Sequence, residues 1–271
     1  LRFVPLVLIL LLEAALAASS PPPVYPLLRL EPGVVSRGEL IGGRALGRWL
    51  GPRETALRLD GRARYRVFSL QHELALLRAH APLSAGVPCA GNLSLRVRVP
   101  VALPGTEPLY AFAAPWNPLP RRPVALSAQT RTYRDLVAAA LRSKGLARPQ
   151  VHVEQVLQVD LDADGHLEVI IVANSRAGRP AARAAAGDYA GVWVRQQVDG
   201  RVRLLALEQE VHVRAGSAAP SRVRVGALLD LDGDGRLEVI VSGKTAVGVW
   251  TSVFSLAGGQ MSKVLRWGCG A

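Results

Sequence analysis

A chain of 271 residues can bury one large hydrophobic core or two modest ones, and a hydrophobic content of 49% argues against general disorder. The formal net charge is +12, carried by thirty arginines and three lysines scattered along the chain. Aromatics make up only 5%, and no basic-aromatic interleaving of the kind that stacks bases appears, so no base-stacking nucleic-acid surface is expected. The charge reads as a basic soluble surface, or as attraction to anionic envelope polymers or lipid headgroups.

In chain order, Arg2 precedes an apolar stretch from Phe3 to Leu12, and Ala15-Leu16-Ala17 has the small residues of a cleavage site. Residues 1–17 therefore read as a secretory signal peptide. The alternative, a membrane anchor, needs ~20 apolar residues, more than this run supplies. A secreted, periplasmic or cell-surface protein with no transmembrane segment after cleavage is expected. Residues 18–33 are proline-rich and read as an extended linker.

Residues 34–123 are expected to be an N-terminal β region. Ala56-Leu57-Arg58-Leu59 and Arg64-Tyr65-Arg66-Val67-Phe68 alternate around the turn signal Asp60-Gly61, and Leu93 to Val99 alternates again. Leu70, Leu74 and Leu77 instead fall at helical spacing, which suggests a short helix over 71–79. The six prolines between Pro104 and Pro123 mark a domain boundary. Two cysteines remain beyond the leader, Cys89 and Cys269. In an exported chain such a pair reads as a disulfide; a Cys/His catalytic or metal pair is the alternative, without a motif to support it.

Residues 130–271 are expected to hold one helix and a duplicated β unit. The helix spans about 133–144, from a capping-box-like Thr132/Asp135 to Gly145, with Tyr133, Leu136, Val137, Ala140 and Leu141 on one face. Beyond it, strands are expected at 169–173, 239–241, 211–214 and 223–225. Hairpins open at Gly191-Val192-Trp193 and Gly248-Val249-Trp250. The fold class is therefore mainly β, of repeated hairpin units arranged as propeller blades or a β-sandwich.

The duplication is plainest in two acidic segments. Asp160-Leu-Asp-Ala-Asp-Gly-His-Leu-Glu-Val-Ile170 returns as Asp230-Leu-Asp-Gly-Asp-Gly-Arg-Leu-Glu-Val-Ile240, with nine of eleven positions identical. Aspartates at positions one, three and five with glycine at six open an oxygen-ligand calcium loop, and position seven offers a backbone carbonyl. Position twelve is Ile171 or Val241 rather than the glutamate an EF-hand requires; the fourth carboxylate comes at position nine and a β-branched run follows. Solvated acids on plain Asp-Gly turns are the alternative. The segments resemble the Asp-x-Asp-x-Asp-Gly-x-x-Asp/Glu loops of the FG-GAP and VCBS repeat families. The resemblance implies two calcium sites. Asp160, Asp162, Asp164, Glu168 and the carbonyl of His166 would hold one; Asp230, Asp232, Asp234, Glu238 and the carbonyl of Arg236 the other. Ala163 departs from the glycine or polar residue usual at position four.

No Gly-x-Ser-x-Gly elbow, His-Glu-x-x-His pair or phosphate-binding glycine loop occurs. His72, His80, His152 and His212 stand isolated. Trp193 and Trp250 read as packing residues, with a ligand groove as the alternative. These observations lead to the expectation of an exported, non-catalytic calcium-binding β-repeat protein, an adhesion or binding module for a protein or carbohydrate ligand. A secreted hydrolase with accessory repeats is the alternative.

Overall fold

The computed structural model describes residues 22–33, 36–98, 103–176, 178, 181–198 and 200–270. The expected signal peptide, and residues 18–21 after it, lie outside the described residues. Among the described residues no helix is long and apolar enough to cross a membrane.

Alternation of apolar and polar residues organises the first half as a closed sheet. Its elements are β1 (Tyr25–Leu30), β2 (Arg37–Ala45), β3 (Arg48–Leu50), α1 (Pro52–Ala56), β4 (Arg64–Phe68), β5 (Glu73–Ser84), β6 (Leu93–Arg98) and β7 (Leu109–Phe112). The strands run β1-β7-β4-β5-β6-β2, and β2 pairs back onto β1 to close a six-stranded barrel with β3 appended to β2. Closure removes free sheet edges. Every second residue points inward, so that Leu28, Leu30, Tyr65, Val67, Leu77 and Leu95 share one core.

The second half contains β8 (Val124–Ala125), α2 (Arg131–Ser143), β9 (Val153–Val159), β10 (Glu168–Asn174), β11 (Tyr189–Val198) and β12 (Arg201–Val211). It continues with β13 (Arg222–Leu229), β14 (Glu238–Lys244), β15 (Gly248–Ala257) and β16 (Gln260–Gly270). β9 to β12 form one antiparallel meander, with β8 added at its β9 edge, and β13 to β16 form another. The registers repeat at an offset of seventy: Glu168 faces Val159 as Glu238 faces Leu229, and Ile170 faces Leu157 as Ile240 faces Ala227. The runs at 169–173 and 239–241 are buried on both faces, which is why they read as continuous apolar stretches. Ile170, Val172 and Val192 of the first sheet pack against Val223, Val239 and Val241 of the second. The outer face of the first sheet, with Val169, Ile171 and Trp193, is covered by Val137 and Leu141 of α2. The outer face of the second, with Leu229, Ile240 and Val253, meets Ile41, Phe68 and Phe112 on the outside of the barrel. The layer order is thus helix, sheet, sheet, barrel, and the fold is mainly β with several antiparallel sheets.

Two side-chain amides close the gap between the sheets. Asn174 donates to the Val223 carbonyl (3.1 Å) and accepts from its N–H (2.9 Å); Gln155 does the same to Val225 (3.3 and 3.1 Å). They supply edge strand β13 with the ladder bonds a neighbouring strand would give. Cys89 and Cys269 form a disulfide, Cα atoms 5.5 Å apart, joining the segment before β6 to the last strand.

Several local expectations are corrected. The stretch expected to be a linker over 18–33 contains β1, a buried barrel strand between β2 and β7, because Leu27, Leu28 and Leu30 have two apolar faces to satisfy. The proline-punctuated boundary likewise contains β7. The helix suggested over 71–79 is strand β5: Leu77 and Ala79 point into the barrel, and sheet pairing outweighs the helical leucine spacing. Ala56 to Leu59 is no strand; Pro52 starts α1 at its first turn. α2 begins at Arg131, one residue before Thr132 of the expected capping box, and no side chain caps it. Asp135 instead lies 3.4 Å from Arg131. The strand expected at 211–214 ends at Val211.

The two Gly-Val-Trp segments are not in equivalent register. Trp193 faces Ile171, whereas Trp250 faces Gly243, two residues further along the repeat. Each ring nevertheless covers a glycine: a Cβ on Gly191 would lie 2.2 Å from Trp193, and one on Gly243 2.1 Å from Trp250.

Candidate metal centre

Each acidic segment is the loop that joins two neighbouring strands, β9 to β10 and β13 to β14, and the two loops have the same internal hydrogen bonds. Asp160 Oδ1 accepts from Ala163 N (2.7 Å) and Oδ2 from Gly165 N (3.2 Å); Asp230 accepts from Gly233 N (2.7 Å) and Gly235 N (3.1 Å). Asp164 accepts from His166 N (2.7 Å), and Asp234 from Arg236 N (2.8 Å). Glu168 Oε2 and Glu238 Oε2 accept from Leu161 N and Leu231 N, both at 2.8 Å. The tight turn needs left-handed backbone at positions four and six. Gly165, Gly233 and Gly235 have φ of 87°, 81° and 84°, and Ala163 is forced to 65°.

This winding gathers carboxylates. Asp160, Asp162 and Glu168 bring one oxygen each within 4.8 Å of one another, and so do Asp230, Asp232 and Asp234. Two of the expected ligands stand apart from those triads. Asp164 is exposed beside its own His166 ring (3.3 Å to Nδ1). Glu238 is buried, with its second oxygen accepting from Ser255 Oγ (3.0 Å). In both loops the position-three aspartate keeps a buried oxygen, Asp162 Oδ1 or Asp232 Oδ1, that has no hydrogen-bond donor.

The electrostatics follow from crowding and burial. Desolvation raises the pKa of Asp162, Glu168, Asp230 and Asp232, and neighbouring carboxylates raise those of all four further. Glu238 is pushed up to about 8 by burial, against the Leu231 N–H that favours its charged form. Asp164 is held down, chiefly by the His166 N–H. These triads are arrangements of oxygen donors that could hold a metal ion.

Three residues that carry no motif bind the loops to their surroundings. Arg121 donates from Nε to the Asp160 carbonyl and from Nη2 to the Gly235 carbonyl, both at 2.7 Å, and so bridges the loops. Trp116 Nε1 donates to the Asp230 carbonyl (2.9 Å). Arg44 on β2 lies 3.3 Å from Asp232 Oδ2. The backbone adds Leu237 N to the Leu161 carbonyl and Asp230 N to the Pro118 carbonyl, both 2.8 Å. Sequence reading had no signal for these residues beyond their place in the proline-rich segment and the barrel.

At the opposite end of the sheets a cleft of about 530 Å³ opens between the barrel, β9 and β13. Its glutamates are each matched with an arginine: Glu31 with Arg29, Glu154 with Arg222 (2.9 Å) and Glu107 with Arg224 (3.6 Å). Of the isolated histidines only His152 lines it. Trp193 is fully buried against α2 and lines neither cleft nor loop. Compared with protein-family profiles, with curated proteins and with solved structures, the chain matches none.

Proposed function

We propose that this chain is an exported, non-catalytic binding protein whose acidic loops each hold one calcium ion, and that the ions pin the two C-terminal sheets to each other and to the barrel. One observation carries the metal: a donor-less buried carboxylate oxygen, Asp162 Oδ1 or Asp232 Oδ1, at the same place in two loops of identical winding. An unpaired buried carboxylate oxygen costs free energy that a cation would recover. All donors are oxygens, which suits calcium; magnesium holds its waters too firmly, and zinc favours thiolate or imidazole. Asp160, Asp162 and Glu168, with Asp164 and the His166 carbonyl, would form the first site. Asp230, Asp232 and Asp234, with Glu238 and the Arg236 carbonyl, would form the second. The likeness to FG-GAP and VCBS loops supports the same choice of ion.

The role is structural because binding free energy adds to folding free energy when the unfolded chain lacks the site. Export is supported by the leader-like first residues and by the Cys89–Cys269 bridge, a kind of bond that persists in oxidising compartments. No arrangement in the cleft favours the hydrolase alternative, since its glutamates are engaged by arginines. Thermal melts in calcium and in chelator test the proposal. A higher melting temperature in calcium is expected, magnesium having less effect, and coincident melts would contradict it.

A further inference from the structure

The outer face of the barrel carries a row of arginines that the metal loops do not explain. Arg64 on β4 lies directly opposite Arg78 on β5, and Arg78 lies directly opposite Arg98 on β6. Two residues back along β6, Arg96 lies directly opposite Arg37 on β2. Opposed residues of an antiparallel pair project from the same face, with Cα atoms ~4.5–5.5 Å apart. Tyr65, Leu77 and Val97, which alternate with them, fill the barrel, so all five arginines point outward, and all are exposed. Like charges set directly across a sheet destabilise it. Among the described residues none of the five is ion-paired; Arg37 donates to the Ala85 carbonyl (3.0 Å). Of the nearby acids, Glu73 accepts from Arg66 (3.0 Å), and Glu39, opposite Arg29, feels the charge of Arg37 but forms no ion pair with it.

We propose that this row docks a flexible linear polyanion, an acidic polysaccharide with one carboxylate per sugar. The row crosses β4, β5, β6 and β2, four consecutive strands of a six-stranded barrel, so it winds around about half of the circumference. A planar membrane meets only part of such a row at once, whereas a flexible chain follows all of it. The aromatic residues of these strands, Tyr65 and Phe68, are buried, which leaves no platform for stacking nucleic-acid bases. Neighbouring strands lie ~4.7–4.9 Å apart, about the length of a sugar ring, so successive carboxylates meet successive guanidinium forks. The polymer is a partner for the binding protein proposed above. It rests on that proposal for its extracellular setting, but not on the metal loops, none of whose residues belongs to the row.

The test is titration of the full chain with polygalacturonate, in sodium buffer with chelator so that calcium does not cross-link the polymer. Wild type is compared with Arg64→Gln/Arg78→Gln/Arg98→Gln and with a charge-matched control, Arg134→Gln/Arg142→Gln/Arg148→Gln on and after α2. Binding that weakens with added salt is expected for the wild type. The row variant should lose about tenfold or more in affinity, and the control about twofold or less. At low salt the row variant should melt no lower than wild type, because repulsion is relieved. Equal losses in the two variants, or undiminished binding by the row variant, overturn the proposal. So does tighter row-dependent binding of anionic phospholipid vesicles or of a single-stranded oligonucleotide. If the polymer fails to bind while calcium still raises the melting temperature, the row proposal falls and the metal proposal stands.

Discussion

Replacing Arg121 by methionine keeps an apolar stem but removes the two hydrogen bonds that bridge the loops, to the Asp160 and Gly235 carbonyls at 2.7 Å. Hydrogen bonds that involve a charged group contribute about 1.5–3 kcal/mol each. Arg121 is half-buried, so water can replace part of each bond and the low end applies. The expected loss is about 3 kcal/mol for the pair. For a chain of this size that corresponds to a melting temperature lower by roughly 6–12 °C. Arg121 is also a fixed positive charge between two groups of carboxylates, so its removal should cost more in chelator than in saturating calcium, when the ions screen those carboxylates. Chemical denaturation in both conditions, followed by tryptophan fluorescence, measures the difference. A loss below about 1 kcal/mol in chelator, or an equal loss in the two conditions, would refute the bridging role.

Ala163→Gly should stabilise the protein by about 0.5–1 kcal/mol: it relieves left-handed strain at φ 65°, less the entropy glycine adds to the unfolded chain. A drop in denaturation midpoint would contradict it. Asn174→Ala strands the buried Val223 N–H and carbonyl, at a cost of about 2–4 kcal/mol, and hydrogen exchange should be fastest to rise along β13; uniform exchange would argue against the edge-capping role. In chelator, stability should fall between pH 4.5 and about 8. Over that window folded Glu238 keeps a proton that the unfolded chain has lost, so each rise in pH favours unfolding by up to about 1.4 kcal/mol per unit. Glu168 shifts in the same direction, while Asp164 and Asp188, shifted down, act below the window. Calcium binding should release protons there. A metal-free protein whose stability is flat or rises from pH 5 to about 8 would refute the assignment.

Much of the second half was legible because its signals are local. The runs at 169–173 and 239–241, the glycine-bearing turns and the acidic spacing each act within about ten residues of sequence, and the strands form there. The first half was less legible because its strands are decided by distant partners. β1 reads as linker until its leucines are placed between β2 and β7, and β5 reads as helix until Leu77 enters the barrel. The candidate site divides in the same way. The aspartates announce themselves by spacing, but Arg121, Trp116 and Arg44 reach the loops from 39 to 188 residues away. The matched Gly-Val-Trp segments misled about register, because each tryptophan needs only a bare glycine beneath it, supplied by its own strand in one sheet and by the neighbouring strand in the other.

The two acidic loops are proposed to be two calcium sites that hold the sheets together. Calorimetric titration of metal-free protein with calcium, repeated on Asp162→Asn and on Asp232→Asn, tests this most directly. Two ions per chain are expected for the wild type and one for each variant, with a correspondingly smaller rise in melting temperature. No binding, or a stoichiometry unchanged by both substitutions, would contradict it.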